Sequence, residues 1–283
     1  MAAPQPGRWG AALARHPSAR IGGAMLAVLA LLALFAPWIA PFDPLAVDTT
    51  RRLLPPGSVH WLGTDELGRD VFSRVAYGAQ WFFGIGIAAL LASAVPGIAL
   101  GLAAGIGPRW LDLAISGLTD VLLSFPYVLL VLAVVAILGP SLETAIIAVS
   151  IGGIPGYVRL VRGEVLSLRE AEHVEALVGL GASRWQVATR ALLPNIASPV
   201  VVYGSFVAPL AVLAAAALSF LGLGVQAPAP EWGAMLVNAR HLLRSAWWAA
   251  AAPGAAIFIA IFATNLLGNA LRDVLDPRSR GAA

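Results

Sequence analysis

The residues of this chain that could do chemistry are few and scattered. Its four histidines, His16, His60, His173 and His241, fall in four separate polar stretches, a spacing that favours solvated side chains over a metal site. There is no cysteine, so neither a disulfide nor a thiolate ligand can form. All 18 basic residues are arginine, and a phosphate-binding P-loop requires a lysine. Neither H-E-x-x-H nor G-x-S-x-G occurs. Ser93, Ser116, Ser124, Ser150 and Ser219 lie in apolar segments that hold no histidine, which leaves a nucleophile without its base. These patterns imply no catalytic residue, no metal and no cofactor in the chain. What remains is one long charged stretch in the back half, Arg159 to Asn195. The chemistry it can offer is recognition, through charged and small side chains on a helix surface.

The elements that must position those side chains are legible in the same stretch. Val165, Leu168, Ala171, Val174, Leu177 and Val178 recur at threes and fours, which predicts a helix from Gly163 to Leu180. Glu164, Arg169, Glu170, Glu172, His173 and Glu175 take most of its other side. Gly179 and Gly181 end that helix. Ser183 with Gln186 forms a capping box that starts a second one, and Pro194 is expected to stop it. The stretch reads as helix, glycine hinge and short helix, with no membrane span of its own. Periodicity leaves two readings open: an amphipathic loop lying on a membrane surface, or a docking element offered to a soluble partner.

Composition sets the surroundings. Of 283 residues, 59% are hydrophobic and 12% charged, against about 25% charged in a soluble domain. The chain therefore faces lipid over much of its surface. Its net charge of +3 does not imply nucleic acid, because the arginines flank apolar segments, as the positive-inside rule expects.

Taken in order, residues 1–20 form a basic tail, and 21–40 make a charge-free first span, long enough to be retained rather than cleaved. Residues 41–80 make an external segment. In it, Thr64 is expected to cap an interfacial helix with Asp65 and Glu66 in its first turn and Leu67, Val71, Arg74 and Val75 along one side. A five-helix core follows over 81–271, with the loop 159–195 inside it. Gly97, Gly101 and Gly105 recur at fours in the second span, a pattern for close helix packing. The third span is expected over 113–139, with Asp120 near the membrane edge in a structural role. The fourth starts near Thr144, and Pro155 among glycines leaves open whether it is straight to Arg162 or broken. Pro199 and Pro209 are expected to kink the fifth. The sixth covers 245–271, and a tail covers 272–283. Six spans put twelve arginines on the side of both termini and the 159–195 loop, and six on the other. That imbalance places the termini and the loop in the cytoplasm.

Several motifs are similar to those of a known family. Glu175-Ala176, Gly181 and Leu193-Pro194 resemble the EAA motif of permease subunits of ABC importers, with Leu177 and Ala191 departing from it. LGTD-x-LGRDVFSR (62–74), DVLLSFP (120–126), SFLGLGVQAPAPEWGAML (219–236) and LRD-x-LDPR (271–278) resemble the C-type subunit of dipeptide, oligopeptide and nickel importers, with Asn269 where an aspartate is usual. The resemblance runs from about His60 to Arg278. It implies an all-α polytopic membrane protein with six transmembrane helices, type I ABC importer permease-like, with a cytoplasmic coupling-helix loop. It further implies a bacterial inner-membrane location, a homologous second permease, two cytoplasmic ATP-binding subunits and an external solute-binding protein. ATP would be bound only by partners, and this chain would form half of the pathway for dipeptides, oligopeptides or a related small ligand. By the same resemblance Glu175 would make a polar contact to the ATPase, Ala176 and Gly181 would keep the helix surface low, and Ser183 and Pro194 would frame the second helix. The rival expectations are a self-sufficient carrier or channel, against which the bare span centres speak, and an intramembrane hydrolase.

Overall fold

A computed structural model describes residues 7–275. Every named element among them is helical, and the only bridge between extended segments is the isolated pair Thr64–Asp70. A short helix α1 (Gly7–Arg15) leads into α2 (Pro17–Ile39), α3 (Val71–Ile106), α4 (Arg109–Ser124) and α5 (Tyr127–Leu138). Then come α6 (Leu142–Arg169), α7 (Glu172–Gly179), α8 (Arg184–Val187), α9 (Leu193–Phe220), α10 (Trp232–Ala239) and α11 (Trp248–Leu275). Five helical stretches are long and apolar enough to cross a membrane, and α4 with α5 makes a sixth if the bent pair counts as one. The chain is thus an all-α polytopic membrane protein. The end of the LRD-x-LDPR motif, with Arg278 and Arg280, lies outside the described residues.

Three local expectations are corrected, and one left open is decided. The third span is not straight: α4 and α5 meet at 96° around Phe125-Pro126. Pro126 forces Phe125 into the extended region (φ −84°, ψ 137°) and supplies no amide hydrogen, so the helix breaks there. The fourth span is unbroken, because Pro155 sits inside a helix that runs on past Arg162 to Arg169. The helix expected over 163–180 is two pieces, since the chain leaves α6 at Glu170 and restarts at Glu172. Thr64 caps no helix. Its hydroxyl donates to the Arg51 carbonyl and accepts from the Leu54 amide, while Asp70 caps α3 by accepting from the Ser73 amide and hydroxyl, both at 2.7 Å. The expected interfacial helix is therefore the first turns of α3, with Leu67 outside it.

The end of the bundle opposite the 159–195 segment is tied by buried polar groups. Arg74, 1% exposed, donates to the carbonyls of Pro44, Pro228 and Ala229, so one guanidinium joins α3 to two loops far apart in sequence. Trp232 and Trp248 donate to the carbonyls of Val75 and Thr64. His60 is buried and bonded to Asp70 at 2.9 Å, contrary to the expectation of a solvated ring. The LGTD-x-LGRD stretch supplies most of this knot, which explains its density of polar residues.

Along the membrane, α3 and α6 form the tightest pair. A side-chain carbon at Gly97, Gly101 or Gly105 would collide with Tyr157, Val161 or Val165 in turn, the Gly101 clash falling 2.7 Å from the Val161 Cβ. Each glycine opens a hole for a branched or aromatic knob one turn further along α6, as the spacing at fours anticipates.

Candidate docking site

The candidate site residues gather at the end of the bundle where α6 finishes. Beyond Arg169 the chain turns at Glu170-Ala171 and forms α7. Its inner face is held by Val174, 2% exposed, which packs with Val165 of α6, Val187 of α8 and Leu192. Because these anchors recur at helical spacing, the opposite face is forced outward. It carries Glu172, His173, Glu175 and Ala176. The Glu175 side chain makes no hydrogen bond or ion pair among the described residues.

α7 ends in a Schellman turn. Gly181 adopts φ +83°, its amide bonds the Val178 carbonyl, and the Ala182 amide returns to the Leu177 carbonyl. A β-carbon at Gly181 would meet nothing within 4 Å, so glycine is required there for its left-handed backbone. α8 then starts with the expected capping box: the Ser183 hydroxyl accepts from the Gln186 amide, and the Gln186 side-chain oxygen accepts from the Ser183 amide.

Pro194 does not stop the second helix, which corrects the sequence reading. The chain is helical from Arg184 to Phe220. Residues Ala188–Leu192 form a π-helical turn in which the Leu193 amide reaches back to the Ala188 carbonyl. The wider turn absorbs the proline, whose missing hydrogen would otherwise interrupt an α-helical ladder. Asn195 Nδ2 donates to the Ala191 carbonyl nearby. The structure thus brings Glu175, Ala176, Gly181 and Ser183 together at an exposed tip. It leaves Pro194 roughly 15 Å along the helix from the start of α8, by helix rise.

The tip also presents two side chains that periodicity overlooked, Leu180, 86% exposed, and Trp185, 75% exposed, and it turns outward Val178, 57% exposed, which the periodicity had assigned to the apolar side. They flank the glycine turn and form an apolar surface beside the acids of α7. The signal for them was present: Leu180 lies between two glycines where no inner face continues, and Trp185 follows the capping serine directly.

Two ion pairs fasten α4 to α6, one at the start of α4 and one near its far end. Asp112 accepts from Arg162 Nη2 at 2.9 Å and Asp120 from Arg159 at 2.8 Å. Asp120 is therefore held by a partner on the neighbouring helix. Among the described residues no three histidine, aspartate or glutamate side chains cluster to hold a metal.

An all-α bundle of five to six apolar spans, with a helix–turn–helix projecting from one end, defines a multi-pass membrane protein. The chain belongs to the binding-protein-dependent transport system inner membrane component family, whose signature matches residues 97–281. Residues 9–56 match the N-terminal transmembrane domain of oligopeptide transport permease C, which places the chain in the C-type branch of peptide ABC permeases. It is 41% identical over 268 residues to the dipeptide transport system permease protein DppC of Alkalihalophilus pseudofirmus, covering 95% of this chain and 88% of that protein. It is 42% identical to the probable D,D-dipeptide transport system permease protein DdpC of Escherichia coli K12, covering 91% and 86%. It is 43% identical to the glutathione transport system permease protein GsiD of an Escherichia coli O6 strain, covering 94% and 88%.

Proposed function

We propose that this chain is the membrane-spanning C-type subunit of an ATP-driven importer for dipeptides, oligopeptides or a related small ligand. It forms half of the translocation pathway, and its 159–195 segment docks on a cytoplasmic ATPase. The observation that carries the docking role is the tip itself. A turn fixed by a left-handed glycine and a capping box holds Glu175 unpaired beside three exposed apolar side chains. An apolar surface of this kind, ringed by charge, is how protein partners are engaged. Its working partners are a second, homologous permease, two ATP-binding subunits and an external solute-binding protein. The arginine imbalance puts both termini and the tip in the cytoplasm.

The test is a mild-detergent pull-down from the native membrane, with the natural sequence and with Glu175→Arg. The natural chain is expected to bring ATP-binding subunits and the variant to lose them, while both solubilise as folded protein. No ATPase with either chain, in several detergents, would return the tip to a surface loop and favour a self-sufficient carrier.

A further inference from the structure

The tip rests on the last turns of α3. Ile98, Leu102 and Ile106 of α3 pack with Leu168, Ala171 and Leu177, which flank the joint between α6 and α7. Apolar contact is non-directional: it holds two surfaces together without fixing how far one is turned on the other. A hydrogen bond does fix that angle. Among the described residues a single hydrogen bond runs from the 163–195 stretch to a helix beyond α6–α9, and it stands at the joint. Arg169, the last residue of α6, donates from Nη1 to the Gly105 carbonyl at 2.7 Å.

Both partners suit the place. Gly105 is the next-to-last residue of α3, so no amide of that helix can reach its carbonyl, which lies at the negative end of the helix dipole. A guanidinium is the donor favoured there. Val165, one turn earlier on α6, fills the space that Gly105 leaves open. One glycine is thus held twice, at its absent side chain by Val165 and at its carbonyl by Arg169. Upstream, Arg159 and Arg162 pair with Asp120 and Asp112 of α4 and hold the body of α6. Directly after Arg169 the chain leaves the helix at Glu170-Ala171, and α7 starts at Glu172. α7 has eight residues, so a turn of about 10° at the joint swings its far end by about 2 Å.

We propose that Arg169 is a positioning residue for coupling. It fixes the angle at which α7 and the glycine turn leave the bundle, so that a displacement of the tip passes into α3 and is not absorbed at Glu170-Ala171. This rests on the permease reading above. The arginine is exposed, so its bond adds little to stability, and what it supplies is direction.

The first test needs no ATPase. The chain has no cysteine, and a β-carbon at Gly84 of α3 or Gly179 of α7 would meet nothing within 4 Å. Spin labels on Gly84→Cys and Gly179→Cys therefore report the angle of α7 in the full chain in nanodiscs. Arg169→Gln is expected to broaden the distribution of distances between them. Arg169→Lys, which keeps a charged donor, is expected to leave it as narrow as the natural sequence does. Equal widths in all three overturn the positioning role.

The second test uses the complete complex in proteoliposomes and reads ATP hydrolysed per dipeptide taken up. That ratio is expected to rise about fivefold in Arg169→Gln, the factor that one hydrogen bond is worth, and to return with lysine. A ratio unchanged in the glutamine variant, or as high with lysine as with glutamine, overturns the proposal. Loss of the ATP-binding subunits from Arg169→Gln would make the residue a docking contact and overturn it equally. An unfolding midpoint that falls in step with uptake would assign it to the fold instead. If the natural complex shows no ATP-dependent uptake, the permease reading fails, while the spin-label result stands apart from it.

Discussion

Replacing Trp185 by alanine separates docking from folding. The side chain is 75% exposed, so its area is available to a partner and contributes little inside the chain. A tryptophan buries about 150–250 Å². Three quarters of that, at about 25 cal/mol per Å², is about 3–5 kcal/mol if the partner covers it fully. Alanine keeps a small part of the contact and some area stays wet at the rim, so a loss of about 3 kcal/mol is expected. That corresponds to roughly a hundredfold weaker binding. The assay is titration of the ATP-binding subunits onto the permease pair in nanodiscs, with the unfolding midpoint measured in parallel. The midpoint is expected to move by less than about 0.5 kcal/mol equivalent, as for surface changes that leave no cavity. Binding within about twofold of the natural chain would refute the view that the tip's apolar surface is the docking anchor. A large fall in unfolding midpoint would show instead that Trp185 holds the fold.

Two further outcomes follow from the packing and the caps. Gly101→Ala places a methyl 2.7 Å from the Val161 Cβ and is expected to cost about 1–3 kcal/mol, whereas Gly163→Ala meets open space and should be neutral or stabilise by up to ~1 kcal/mol; thermal unfolding in detergent distinguishes them, and equal effects would contradict the glycine ladder. Glu231 caps α10 by accepting from the Gly233 and Ala234 amides, and burial pushes its carboxyl above the ordinary glutamate value despite those bonds. The folded chain therefore holds that proton more tightly than the unfolded one, so stability is fully present below the ordinary glutamate value and falls as pH rises through the raised one. Glu231→Gln should flatten that slope in the unfolding midpoint, and an unchanged slope would assign it to another group.

The features that were legible in the sequence are those set by neighbours a turn away. Gly97, Gly101 and Gly105 announced a close helix contact because their spacing matches the rise of a helix face. Ser183 and Gln186 announced a helix start because the capping box is closed within four residues. The features that were hidden depend on partners distant along the chain. Thr64 and Asp70 are both sound helix caps by residue type, and only the contact of Thr64 with Arg51 and Leu54 takes it out of contention. His60 looked solvated because its partner Asp70 sits in another turn of the same knot. Pro126 and Pro155 are alike in sequence terms, yet one breaks a span and the other lies within one. Pro155 is buried in a helix packed along its length against α3, which holds it in line, whereas both sides of Pro126 are exposed. Pro194 was misjudged because a π-helical turn is specified by packing, and no residue pattern marks it.

The same long-range contacts indicate how a push at the tip could reach the far side of the membrane. α7 follows α6 after two residues, and its anchor Val174 packs on Val165. Val165 is also the knob that fills the hole at Gly105 of α3. α3 then runs 36 residues, about 54 Å, to Asp70 and Arg74 in the knot at the opposite end. Because α3 and α6 interlock at three successive glycines, they resist sliding and move together. Arg74 in turn holds the loops before α3 and α10, so the ends of α2, α3 and α9 at that side of the bundle are fastened to one side chain. A displacement imposed on the tip would therefore arrive at the opposite end as a rotation of this unit, with little internal deformation. α4 is fixed to the unit along most of its length by Asp112–Arg162 and Asp120–Arg159, and α5 departs from it at 96°. The bend at Phe125-Pro126 is then the place where movement can be taken up without breaking a helix that also packs elsewhere.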